Sequence, residues 1–456
     1  MCTLIGKKMI DEKEIIRRRD MRDVFTFTID PADAKDFDDA ISFDYLSAEA
    51  VYQIGVHIAD VSFYVRPNTK VDDEAYQRGT SVYLVDRVIP MLPEELCNDK
   101  CSLKPGEDKL CMSVIFTMDA DANVLKYKIC RTVIRSDVRL NYDEAQHIIC
   151  RNQTGETLSR ENRTVVNTES DAGQTVLISE ALTVLNDLAL KMRAARLAAG
   201  ALAIEQEEIR FRLDEHHHPV EIYFEQPNEA HHLIEEFMLL ANKTVAKSVG
   251  SGRPFVYRVH DLPDYDKLEE IKKFKRQYKM ARRKDNSALQ RAIDMLTIRA
   301  QAKAVYSTYN IGHYGLAFTH YTHFTSPIRR YPDLMVHRLV EKYILTGKKE
   351  TMTREELELI CEHCSECEQE AAQAERESVK LFQTMWMEDK IGQVLPGHIT
   401  GITDFGIFVQ LDDSHCEGLV HMMTIEHPEN YVLGDAVTVQ VVRVDVNRAQ
   451  IDFELV

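Results

Sequence analysis

The sequence predicts an α+β protein in which a mixed α/β domain precedes a small five-stranded β-barrel. Three observations predict it. Strand-like segments of period two fill about the first 140 residues. Helical periodicity takes over across 175–387, and short strands separated by Gly and Asp turns return after Ile391. These changes of pattern divide the chain into an N-terminal remnant or linker at 1–20, the mixed domain at 21–390 and the barrel at 391–456.

Each element has its own signal. VFTFTID at 24–30 alternates apolar and polar residues, and VYQIGVHIADV at 51–61 reads as a second strand. Further strands are expected at 81–88, 110–118 and 124–131. The polar run RNQTGETLSRENRTVVNTESDAG at 151–173 predicts a long exposed insertion. Helices are predicted at 175–199, 231–249, 289–306 and 355–387. YPDLMVHRLVEKYIL has a proline near its start and apolar residues at helical spacing, so a further helix should begin after Pro332. In the tail, IGQVLPGHITGITDFGIFVQLDD, EGLVHMM, VTVQVVRVD and AQIDFELV make five short strands, the pattern of an OB-fold.

Composition narrows the class. A chain of 456 residues has room for two or three domains, and 44% hydrophobic with 29% charged residues is ordinary for a soluble globular protein. No apolar run approaches the roughly 18–20 residues that span a bilayer. The N-terminus turns charged too soon for a signal peptide. The ten cysteines show no disulfide framework, so a cytoplasmic monomer with reduced thiols and no membrane partner is expected. The net charge of −18 weighs against a nucleic-acid partner, but polarity is segregated along the chain. Residues 267–291 carry ten basic and three acidic side chains, while 355–377 is dominated by glutamate. A solvated helix face explains the basic run equally well.

The densest feature is TIDPADAKDFDDAIS at 28–42, with Asp30, Asp33, Asp36, Asp38 and Asp39. In an extended chain Asp30, Asp36 and Asp38 would share a face and Asp39 would point away. Pro31 and the AxA spacing argue instead for a compact loop that gathers carboxylates. Two carboxylates about 4 Å apart repel by about 4 kcal/mol at an effective dielectric of 20, so convergence requires protonation or a cation. Hard oxygen donors without nearby Cys or His favour magnesium or manganese over zinc. The calcium-loop spacing fails from every starting Asp, and an open solvated acidic loop remains the alternative. Carboxylate-held cations of this kind commonly serve phosphoryl chemistry.

A basic element complements the run. In YTHFTSPIRRYPDLMVHR at 321–338, Thr-Ser-Pro forces a turn that delivers Arg329 and Arg330 just before a helix, a place suited to a phosphate. Pairing of these arginines with Asp333 or with the acidic helix downstream is the competing reading.

TIDPADAKDFDDAIS, VHIADVSFYVRP, RGTSVYL, VIPMLPEELCN and HFTSPIRRYPDLMVHR occur in an order that resembles the ribonuclease II / ribonuclease R family, on its ribonuclease R side, from about Ile15 to the C-terminus. The resemblance implies a catalytic RNB domain followed by an S-one-type OB domain. It also implies a magnesium-dependent (or manganese-dependent), processive 3′→5′ exoribonuclease that hydrolyses single-stranded RNA with a free 3′ end to nucleoside 5′-monophosphates. By the same resemblance Asp30, Asp36, Asp38 and Asp39 hold metal, with Asp38 also catalytic, and Asp33 belongs to the solvated rim. Tyr83 lies against the 3′-terminal nucleotide, Arg329 contacts phosphate with Arg330 beside it, and Glu375 in AERES is catalytic. Phe211 stacks on terminal bases, and Glu236 meets the terminal ribose. Phe405, Phe408 and His421 are the RNA-contacting positions of the barrel, with one of the two phenylalanines expected in its core.

Family members usually carry two cold-shock-type OB domains ahead of the catalytic domain, whereas only about twenty residues precede it here, and the barrel is shorter than expected between His421 and Gly434. These losses are expected to lower RNA affinity more than they alter chemistry. CEHCSEC at 361–367 lacks a second ligand pair for zinc, and His320 and His323 read as structural or as aids to RNA contact. Two other functions compete: a non-catalytic RNA-binding protein using the same groove and barrel, and a metal-dependent phosphoesterase for small nucleotides.

Overall fold

The computed structural model describes residues 10–47, 50–154, 165–169, 175–202, 207–280, 286–347 and 352–456. Its centre is a seven-stranded sheet in the order Arg19–Asp20, Val124–Arg135, Asp108–Asp119, Val51–Ala59, Asp39–Ser47, Thr26–Asp30, Val138–Asn141. The inner strands pair antiparallel, whereas the outermost strand at each edge joins in parallel. Helices cover the sheet, so Ile54, Val56 and Ile58 are fully buried together with His57 on the opposite side of the same strand.

Helix Glu229–Val249 starts with a capping box in which Asn228 and His231 exchange side-chain to backbone bonds. All ten residues of helix Tyr331–Val340 are buried, which places the SPIRR turn that precedes it against the core. Helix Arg354–Met387 also opens with a capping box, Thr353 with Glu356, and its last residue Met387 joins the barrel core. The barrel closes in the order Val394–Thr403, Gly406–Leu411, Glu417–His421, Gln450–Leu455, Ala436–Asp445. Ile399, Ile407, Val409, Val420 and Phe453 fill it, and any side chain at Gly418 would strike the Phe453 ring at 2.5 Å.

Most long elements sit where periodicity puts them, and short strands account for the differences. The expected helix at 175–199 begins at Ile178 because Thr175–Leu177 pairs with Val165–Glu169. The polar run at 151–173 is thus not all loop: helix Tyr142–Thr154 extends into it, and the strand follows. Residues 155–164 and 170–174 lie outside the described part. The helix expected at 289–306 is Asn286–Ala300, and Val305–Ser307 instead forms a strand with Tyr257–Val259. The strand at 81–88 is a small hairpin of Val82–Tyr83 with Val88–Ile89. The basic run forms most of helix Tyr265–Met280 and the start of helix Asn286–Ala300, with 281–285 undescribed. Among the described residues no helix is long and apolar enough to cross a membrane, no cysteine is paired, and no three His, Cys, Asp or Glu side chains form a ready metal cage.

A polar chain crosses the sheet interior. His57 is fully buried with Nδ1 2.7 Å from Ser113 Oγ and Nε2 2.8 Å from Ser42 Oγ, and Ser113 Oγ lies 2.6 Å from Thr132 Oγ1. Burial, aided by Arg19, pushes the imidazole down to about 3, so it is neutral. Ser113→Ala removes the shared hydroxyl and leaves two buried polar groups unpaired, a cost of about 1–3 kcal/mol. Urea denaturation at pH 7.5 should show that loss, and a change within about 0.5 kcal/mol would contradict the assigned role.

Candidate active site at the carboxylate run

The acidic run begins at the end of one sheet strand and finishes at the start of its neighbour. Asp30 closes strand Thr26–Asp30 opposite Asn141, and Asp39 opens strand Asp39–Ser47 opposite Ile58. Clamps compact the irregular backbone between them. Arg139 Nη2 donates to the carbonyls of Pro31 at 2.7 Å and Ala32 at 2.9 Å, while its guanidinium lies 5.4 Å from the ring of buried Phe37. Ser102 Oγ accepts from the Phe37 amide at 3.0 Å and donates to the Lys35 carbonyl at 2.7 Å.

Asp38 joins this loop to the second motif. Its Oδ1 accepts the Ile328 N–H at 3.0 Å, and its Oδ2 lies 3.5 Å from Arg329 Nε. Arg329 passes the connection on, because its carbonyl accepts the Ser81 N–H at 2.9 Å. The Tyr83 N–H then donates to Glu375 Oε1 and the Val85 N–H to Ser378 Oγ, each at 3.1 Å. Glu375 therefore holds the Tyr83 backbone, leaving the Tyr83 ring exposed. Phe211, on strand Glu208–Leu213, lies 5.9 Å from Phe382, seven residues along the same helix from Glu375 and so on the same face.

The electrostatics are those of crowded carboxylates. Burial pushes Asp30 up to about 7, against the pull of Thr28 and Arg139, and Asp36 adds repulsion. Asp38 is likewise pushed up to about 7 by burial, with Arg329 and the Ile328 amide opposing. Burial also raises Asp36. Asp39 is raised well above the carboxylate range, first by burial and then by the charges of Asp30 and Asp38. Asp33 points to solvent.

A hard cation fits this donor set. Asp30 Oδ2 is buried without a well-formed hydrogen bond, and the four raised carboxylates share one electrostatic environment. Among the described residues no three such donors already form a ready cage. Asp30, Asp36, Asp38 and Asp39 are the residues that would hold the cation.

The structure separates residues that the sequence could not. Arg329 has a side chain 41% exposed beside Asp38, whereas Arg330 turns inward and pairs with buried Asp333 at 2.8 Å. For Arg330 the pairing alternative thus describes the geometry. Glu236 likewise has a partner within the fold. It is buried and ion-paired with Arg196, on the side of helix Glu229–Val249 that faces helix Ile178–Ala198. Its neighbour Glu235 instead falls in the stripe of His231, Met238 and Asn242, and Asn242 accepts the Phe324 N–H in the segment leading to SPIRR. His323 is half-buried, 2.8 Å from the Tyr306 hydroxyl, and desolvation holds it neutral, a structural arrangement.

Tyr142 was not anticipated. It follows Asn141, the partner of Asp30, and its ring stacks on His231 at 3.7 Å and 9°. Burial raises its phenol, as do the charges of Asp39 and Asp30. Only the parallel pairing of Thr26–Asp30 with Val138–Asn141 brings it there, and nothing in LNYDEA announces that pairing. In the barrel, Phe405 is 59% exposed and sits 5.9 Å from half-buried Phe408 in an edge-to-face pair. Exposed His421 lies opposite Gly406, 3.5 Å from Asp452. Neither phenylalanine enters the barrel core, contrary to expectation, because Phe453 occupies it.

With this geometry in place, comparison with known proteins assigns the class: residues 18–346 match the RNB domain and residues 388–455 the S1 RNA binding domain, and the chain belongs to the RNB family. Curated relatives of the chain include ribonucleases R. That of Aquifex aeolicus is 38% identical over 98% of this chain and 66% of its own length, and that of Escherichia coli 34% identical over 99% of this chain and 59% of its own length. The chain thus spans about two thirds or less of these two relatives. Among solved structures, Mycoplasma genitalium RNase R in complex with ribose-methylated single-stranded RNA superposes with a TM-score of 0.87 at 27% identity, covering 99% of this chain and 74% of that one. Yeast Ssd1, a pseudonuclease, shares the fold at a TM-score of 0.71 and 19% identity, covering 95% of this chain and 54% of that one.

The raised carboxylates give a signed prediction. A folded-state value near 7 for Asp38 lies above the ordinary carboxylate value, so its contribution to stability is full at low pH and is lost as pH rises through 7. In EDTA, Asp38→Asn should therefore raise the melting temperature relative to the parent at pH 8, and the gap should close toward pH 4–5. A gap of the same size at both pH values would contradict the crowding.

Proposed function

We propose that this chain is a magnesium-dependent (or manganese-dependent) 3′→5′ exoribonuclease acting processively on single-stranded RNA and releasing nucleoside 5′-monophosphates. The observation that carries the reading is the pairing of Asp38 with exposed Arg329 at 3.5 Å, beside the exposed ring of Tyr83. Carboxylates that repel one another call for a cation, and an arginine next to them suits the phosphate that such a cation serves. Ribonucleases R as relatives, and RNA in the solved structure of one of them, support RNA as the substrate. Because the fold also occurs in a pseudonuclease, the reading rests on these residues rather than on the fold.

In this account Asp30, Asp36, Asp38 and Asp39 hold the cation, which when bound lowers the pKa of water and offsets phosphate charge. Arg329 neutralises a non-bridging phosphate oxygen and holds the phosphate in line. Water oxygen bonds to phosphorus, and the 3′ oxygen of the preceding nucleotide leaves and takes a proton. Tyr83 sets its ring against the 3′-terminal nucleotide, so the last bond alone reaches the carboxylates. Glu375 acts as a positioning residue through the Tyr83 amide. Phe211 stacks on a base further in, and Phe405, Phe408 and His421 on the barrel hold the incoming strand. A monomer in the cytoplasm suffices for this chemistry.

A 5′-labelled single-stranded RNA tests the proposal. With magnesium, a time course should give progressive shortening to a short end product, abolished by EDTA and by Asp38→Asn. Arg329→Ala should slow it by about 10²–10³-fold, the cost of losing one charge-stabilising donor. Binding without shortening would overturn the proposal, as would release of phosphate from mononucleotides with RNA left intact.

A further inference from the structure

Helix Glu229–Val249 presents two stripes. One carries His231, Glu235, Met238 and Asn242 toward the carboxylate site, and the next, about 100° around the axis, carries Glu236, Leu240, Lys243 and Lys247. The second stripe lines a cavity of about 970 Å³, which is also walled by the hairpin at 121–127, by helix Ile178–Ala198 and by residues 317–320. None of the carboxylates of the acidic run, nor Tyr83, Arg329 or Tyr142, lines it. The volume lies at the upper end of small-ligand sites, about 300–1,000 Å³.

Its chemistry is out of keeping with the chain. In a protein of net charge −18, Lys126, Lys243 and Lys247 face one cavity, and among the described residues none of the three makes an ion pair. The buried acid that could satisfy them, Glu236, is committed to Arg196 through two bonds, to Nε at 3.0 Å and Nη2 at 2.5 Å. Partial burial against the wall lowers the pKa of the Lys243 ammonium, with Glu236 opposing and Lys247 adding repulsion. Flat apolar surfaces accompany the cations. Lys243 Nζ lies 5.2 Å from the Phe318 ring centre, and Tyr127, 46% exposed, is fixed by a 3.0 Å bond from Ser248 Oγ to its hydroxyl. Unpaired lysines beside the half-buried Phe318 ring and the exposed Tyr127 ring are the complement of a phosphate joined to a base.

We propose that this cavity is a second nucleotide site, which takes the phosphate of a nucleoside 5′-phosphate on Lys243, Lys247 and Lys126 and its base on Phe318 and Tyr127. The unit is common to a free mononucleotide and to an RNA strand. The site stands apart from the reaction at the carboxylate run and does not depend on it. Arg196 touches Glu235 of one stripe at 3.3 Å and Glu236 of the other, so the two sites share a wall.

The test uses the full chain carrying Arg329→Ala, in EDTA, so that the carboxylate site neither binds phosphate well nor reacts. Equilibrium dialysis is run with adenosine 5′-monophosphate and, separately, with a short 5′-phosphorylated oligoadenylate. Saturable binding near one equivalent is expected with at least one probe. Binding of the mononucleotide identifies a free nucleotide as the source, and binding of the oligonucleotide alone identifies a strand. Adding Lys243→Ala and Lys247→Ala, both exposed side chains, should weaken binding at least tenfold with an unchanged melting temperature. Lys126→Glu, on a different element, should do the same and serves if the pair fails to fold. Absence of saturable binding, equal affinity for adenosine without its phosphate, or binding indifferent to both sets of lysine variants would overturn the proposal.

Discussion

The hydrogen bond from the Ile328 amide to Asp38 spans 290 residues of sequence, and the candidate site depends on it. It brings the acidic loop, built on the sheet, to the Pro-framed turn ahead of helix Tyr331–Val340. From there the contacts propagate: the Arg329 carbonyl takes the Ser81 amide, and Glu375 takes the Tyr83 amide. Helix Arg354–Met387 then continues past Phe382 into the barrel, where Gln383 donates to the His415 carbonyl at 3.1 Å. One rigid element thus spaces Tyr83, Phe211 and the barrel along a single line.

What keeps the turn in place lies behind it. Asp333 is fully buried and accepts from both the Ser326 amide and Arg330. Deeper still, Arg338 pairs with Asp72 at 2.6 Å, and the Tyr331 hydroxyl donates to the same carboxylate. Buried pairs of this kind stabilise little in themselves, but losing one partner strands the other, so they specify one arrangement. The carboxylates above them are under the opposite condition. They are buried or half-buried and mutually repelling, and the clamps from Arg139 and Ser102 hold the backbone but leave their charge unbalanced. The fold thus supplies the rigidity and leaves the charge to be balanced from outside.

Much of this was legible in the sequence because it is local. The 3.6-residue periods of 231–249 and 355–387 and the alternation in 24–30 and 51–61 each reflect one buried face. Density of like charge marked the acidic run, and the resemblance in ordered motifs assigned its members. What the sequence left open was the choice between neighbours. Arg329 and Arg330 are equivalent in sequence, and only the extended backbone at Arg330 turns one out and the other toward Asp333. Glu235 and Glu236 differ by 100° of helix rotation, which no single glutamate reveals. Tyr142 is reached only through a parallel strand pairing, and such long-range pairings leave no local mark.

The central claim is that the four crowded aspartates are held for a divalent cation rather than open to water. Titration of the protein with Mn²⁺ at pH 8, followed by the electron paramagnetic resonance of the free ion, tests it most directly. Loss of the free-ion signal on adding the parent protein, and its return with Asp30→Asn/Asp39→Asn, is the predicted result. Equal binding by parent and variant, or no binding by either, would contradict it.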